Sequence, residues 1–142
     1  MNLDFSEGVQ DITINGKCTV RVNLTDFTFI ESIFNAFDAL DALEDEYQKR
    51  FETVTDGREI FALCRERDAR MREIVNDIFG EDVCSPIFGK MQLTAIGDGL
   101  PLWFNLLMAF IDNMDSTIAR EKKQSNPRMK KYVDKYQKYQ KK

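Results

Sequence analysis

Five acids, Asp38, Asp41, Glu44, Asp45 and Glu46, form the densest group of ligand-type side chains in the chain. Asp38 and Asp41 stand three residues apart and Asp41 and Asp45 four. On a helix they share a surface, where a hard cation could bind or one carboxylate could act as a general base. The alternating acids and central glycine of a calcium-binding loop are missing, so the simpler expectation is a solvated acidic face. Cys18, Cys64 and Cys84 are widely spaced, odd in number and without a CxxC pair. That argues against a disulfide scaffold and a zinc site and for small apolar side chains in a reducing compartment. The chain has no histidine, which removes Ser-His-Asp and Cys-His devices and every histidine metal ligand. Gly97-Asp98-Gly99 precedes an apolar helix, where anions can bind. It matches neither GxGxxG nor a P-loop, and Asp98 would repel phosphate, so it reads as a plain loop. These residues predict no catalytic, cofactor or metal site, and hence no enzyme.

Charge is divided unevenly along the chain. The 142 residues carry 20 Lys and Arg against 24 Asp and Glu, a net −4. Residues 120–142 hold ten of the bases and only two acids, Glu121 and Asp134, a net +8 that leaves −12 on residues 1–119. An acidic body thus bears a basic tail, with Lys130, Lys131, Lys135, Lys138, Lys141 and Lys142 set among Tyr132, Tyr136 and Tyr139. Tyrosines among lysines can stack on bases while the lysines neutralise phosphate. Nucleic-acid binding through the tail is therefore an alternative reading, opposed by the acidity of the body. No run approaches ~18 consecutive apolar residues, and MNLDFSEG lacks the basic and apolar regions of a signal peptide. With 43% hydrophobic residues and 11 Phe, the composition is that of one ordinary cytoplasmic domain.

The elements that position these groups follow from local pattern. Residues 9–24 predict a β-hairpin around Asn15-Gly16. A two-residue loop would put Ile12 and Ile14 on the face opposite Cys18, Val20 and Val22. A three-residue loop with a bulge unites them, so the hydrophobic pattern favours the odd loop. A first helix is predicted over about 27–54, starting near Asp26 or Thr28, with Thr28 and Glu31 as a capping box and Ile30, Ile33, Phe37, Leu40, Tyr47, Phe51 and Val54 on its apolar stripe. A second, about 58–79, carries Phe61, Cys64, Asp68, Met71, Val75 and Ile78 at three- and four-residue steps. Asp68 interrupts that stripe, so it lies at its edge or pairs with an arginine. The mixed charges between predict supporting pairs within the helix, and Gly80 is its stop signal. Ser85-Pro86 should open a short helix, about 86–91. The last, about 100–123, buries Trp103, Leu107, Phe110, Ile111, Met114 and Ile118 and remains apolar almost all round, so it is either central or covered by a partner. The expected fold is α+β, mainly α: an N-terminal hairpin packed on three longer helices and one short one over residues 1–126, then a basic tail, 127–142.

The order of these elements resembles that of small tail-assembly chaperones of long-tailed bacteriophages and prophages. The resemblance rests on the hairpin with NGK at its turn, the stretches FALCRERDARMREIVNDIFGEDVCSPIFG and LPLWFNLLMAFIDNMDSTI, and the terminus PRMKKYVDKYQKYQKK. It implies a non-catalytic protein that coats the helical tape-measure protein until tail-tube subunits assemble, acts in the host cytoplasm and is absent from the mature virion. A virion structural or tail-completion protein would share the same logic. The resemblance also implies a short form and a frameshifted long form, the short one compatible with an A-rich codon run at Lys141-Lys142. A helical client needs an apolar groove, and Trp103, Phe104, Leu107 and Phe110 on the last helix are the expected groove. The −12/+8 division predicts self-association between body and tail of neighbouring copies.

Overall fold

In the computed structural model, which describes residues 1–124, the chain begins with an extended arm and a two-stranded antiparallel sheet, β1 (Gln10–Ile14) and β2 (Cys18–Val22). Asn15 and Gly16 have φ of 52° and 68°, the left-handed conformation that Asn-Gly supplies at low cost. The Lys17 amide bonds the Ile14 carbonyl at 2.9 Å while Ile14 lies opposite Cys18, so the loop holds three residues, as the hydrophobic pattern requires. Ile12 consequently faces Val20, and Ile14 and Val20 enter the core. Thr13 and Thr19 share a hydroxyl hydrogen bond on the solvent side.

Helix α1 (Phe27–Glu52) follows. Its cap is Asp26, whose carboxylate accepts the Thr28 amide at 3.0 Å. The expected Thr28 capping box does not form, because Asp26 captures that amide and draws Thr28 into the first turn. Asp56 caps α2 (Gly57–Phe79) in the same way through Arg58, and Gly80, at φ 70°, ends it. The two helices form an antiparallel pair around Ile33, Leu40, Tyr47, Met71 and Val75.

The short helix α3 is Cys84–Phe88, two residues earlier than predicted. Ser85 is not its cap. The Asn76 amide oxygen, from α2, accepts the Val83 and Cys84 amides, and Asp82 accepts that of Ser85. The Gly97-Asp98-Gly99 loop is a structured turn rather than a plain one, with Asp98 and Gly99 at φ 54° and 80°. It joins two two-residue strands, β3 (Ile96–Gly97) and β4 (Leu100–Pro101). From there α4 (Leu102–Gln124) runs back along α1: Trp103 meets Phe37, and Phe110 meets Phe29. Together these elements give the α+β, mainly helical architecture expected.

Candidate interaction surface

The residues expected to form a groove on α4 are part of the interior. Trp103, Leu107 and Phe110 are 1%, 0% and 4% exposed, and Phe104 is half-buried against Phe37 and Trp103. The Trp103 indole donates to Glu44 at 2.9 Å, which satisfies its only polar group. The groove assignment is thereby overturned: Trp103 packs on Phe37 of α1, and Phe110 on Phe29 of α1 and Phe79 of α2, while Leu102, Phe104 and Met108 are partly buried. Ile118 and the basic-tail lysines 130, 131, 135, 138, 141 and 142 lie outside the residues whose side chains are described.

Exposed apolar side chains occur elsewhere. Phe61 is 65% exposed, although its spacing placed it on the buried stripe of α2. The segments after α2 bond to it at Arg67, Arg72 and Asn76, through Thr94, Gly89 and Val83, all C-terminal to Phe61. Beside the first turns of α2 lies a cleft of about 370 Å³ lined by Arg50, Val54, Ala62, Leu63 and Glu66. Leu3 and Phe5 on the N-terminal arm, and Met91, Ile96 and Leu100 around the β3–β4 turn, are also exposed. The periodicity of α2 marked Phe61 as apolar, but nothing local showed that its cover would be missing.

Behind that cleft a polar clamp joins α1 to α2. The Tyr47 hydroxyl donates to Glu66 at 2.5 Å, Arg50 to the same oxygen at 2.7 Å, and Arg70 to Glu46 at 2.6 Å. The Tyr47 ring is fully buried, with the Arg50 and Arg70 guanidinium groups over it. The Tyr47 hydroxyl, followed by Arg50, holds the Glu66 carboxyl below its ordinary range. Bonds to Tyr47 and Glu46 raise Arg70. Of the three ion pairs that α2 makes among the described residues, two therefore bridge to α1. Asp68–Arg72 is the intrahelical exception, at 2.8 Å, and it answers the question Asp68 posed. Arg67 stacks over Phe51 and donates to Thr94, while its Nε is buried without a partner.

The other chemical candidates separate. Glu44 serves Trp103 and Glu46 serves Arg70, while Asp38, Asp41 and Asp45 are exposed. Among the described residues no group of three His, Cys, Asp or Glu side chains could hold a metal ion. All three cysteines are free, and burial pushes the Cys84 thiol up to about 12. The start of α4 offers no open anion site, since its Leu102 and Trp103 amides already bond the Ala95 and Leu93 carbonyls. Among the described residues no helix is long and apolar enough to cross a membrane. No family model, curated protein or solved structure matches this chain.

Proposed function

We propose that this protein is a phage tail-assembly chaperone that binds the helical tape-measure protein without chemistry of its own and leaves before the virion is complete. The observation that carries the reading is Phe61, an aromatic side chain 65% exposed on the first turns of α2. Aromatic anchors dominate protein–protein binding energy, and an amphipathic helix can lay its apolar face against an exposed aromatic side chain. The net −12 of residues 1–119 would attract basic client segments and speed encounter. The tail-tube protein would take over the client as the tube grows.

Coexpression with the tape-measure protein of the same phage tests this. Wild-type chain should keep that client soluble and co-purify with it, and Phe61→Asp should lose both properties while its circular dichroism is unchanged. A client equally soluble with and without the chain would end the chaperone reading. Recovery of the chain in purified virions by mass spectrometry would favour a structural tail component instead.

A further inference from the structure

The outward side of α1 carries Asp38, Asp41, Asp45 and Glu52, all exposed. Asp38, Asp45 and Glu52 follow at seven-residue steps, so they form one line over ~21 Å, with Asp41 beside it. None joins an ion pair among the described residues, whereas Glu46 and Glu66 pair with arginines. Like charges at i,i+3 and i,i+4 repel, and a cationic partner along the line would remove that cost.

The complementary charge lies in the same chain. Residues 127–142 hold seven Lys and Arg against one acid. Arg128, Lys131, Lys135, Lys138 and Lys142 recur at alternating steps of three and four, the spacing of Asp38, Asp41 and Asp45. The course of α4 limits how much of the tail can reach its own body. Because Trp103 meets Phe37 and Phe110 meets Phe29, α4 travels toward the beginning of α1 and continues 14 residues farther, to Gln124. That carries the chain ~21 Å past Phe29, while Asp45 lies ~24 Å from Phe29 in the opposite direction. At ~3.4 Å per residue, fully extended, only Lys138 and the residues after it could return to Asp45 of their own body. Arg128, Lys130 and Lys131 fall short of all three aspartates of their own body even at full extension.

We infer that the acidic outward face of α1 is the docking surface for the basic segment 127–142 of a second copy of this chain. Two copies can exchange tails reciprocally and close as a dimer, or join head to tail with one face and one tail left free at the ends. The contact is independent of the client: association and client binding can each fail while the other holds.

Sedimentation velocity of the full chain at 0.1 M and 1 M salt tests the inference. Wild type should associate at 0.1 M and be monomeric at 1 M, as the screening length falls from ~10 Å to ~3 Å. Asp38→Asn/Asp41→Asn/Asp45→Asn should weaken association roughly tenfold, about what three exposed ion pairs supply. Lys131→Glu/Lys135→Glu/Lys138→Glu should abolish it. Mixing that tail variant with an Asp38→Lys/Asp41→Lys/Asp45→Lys variant should restore association that neither shows alone. All these side chains on α1 are exposed, so unchanged circular dichroism is expected and serves as the control. A wild type monomeric at 0.1 M, association insensitive to salt, or association lost in the tail variant but kept in both face variants would each overturn the assignment.

Discussion

Replacing Asp68 separates two roles of one carboxylate. Its Oδ1 accepts the Leu93 amide at 2.7 Å and its Oδ2 accepts from Arg72 at 2.8 Å. The Asp68 and Arg72 side chains are only 13% and 19% exposed, and Leu93 is fully buried. Arg72 also donates to the Gly89 and Met91 carbonyls, so the pair fastens the segment after α3 to α2. Asp68→Ala strands the Leu93 amide, at a cost of ~1–3 kcal/mol. It also removes the partner of a largely buried guanidinium; breaking such pairs costs ~3–5 kcal/mol when burial is complete. Here Arg72 keeps two carbonyl acceptors, so the combined loss should be about 3 kcal/mol, a large share of the ~5–15 kcal/mol typical of a domain. Asp68→Asn keeps an acceptor for Leu93 but removes the charge and turns an NH2 donor toward Arg72, so it loses the Arg72 bond alone, for about 1.5 kcal/mol. Urea unfolding, followed by the fluorescence of the single tryptophan, Trp103, measures both. Equal losses within ~0.5 kcal/mol would refute the assignment of the larger share to the Leu93 amide.

Further outcomes follow from the same geometry. Trp103→Ala should cost ~3–5 kcal/mol as a core cavity, while Phe61→Ser should stay within ~0.5 kcal/mol; the reverse order in urea melts would contradict the core and surface assignments. Glu66 titrates below its ordinary value of 4.5 in the folded chain, so its contribution is present above that value and disappears as pH falls through the depressed one. Glu66→Gln should therefore be less stable than wild type at pH 7 and show a shallower stability loss on acidification, read from urea midpoints at pH 7 and pH 3; parallel profiles would dismiss the Tyr47–Glu66–Arg50 clamp. Cys84, buried and pushed up to about 12, should resist a thiol reagent at pH 8 until urea unfolds the chain, and mass mapping of native-state adducts on Cys84 would count against its burial.

What the sequence determined is what local chemistry can specify. Asn15-Gly16 and the alternation of Ile12, Ile14, Cys18 and Val20 dictated the hairpin register, because a slip of one residue would turn the isoleucines away from the valines. Three- and four-residue steps placed α1, α2 and α4, and Gly80 marked a helix end where a left-handed residue is needed. The interruption at Asp68 narrowed its carboxylate to the edge of the stripe or a pair with an arginine. Tertiary structure alone decided which apolar side chains would be covered. Trp103, Leu107 and Phe110 read as a potential groove and became interior against α1, while Phe61, on an equally regular stripe, is 65% exposed. It also decided that Arg50 and Arg70 bridge helices and that Asn76, from α2, caps α3. Period and backbone angle are properties of a few neighbouring residues, whereas burial and charge pairing depend on which distant segments arrive at the same place.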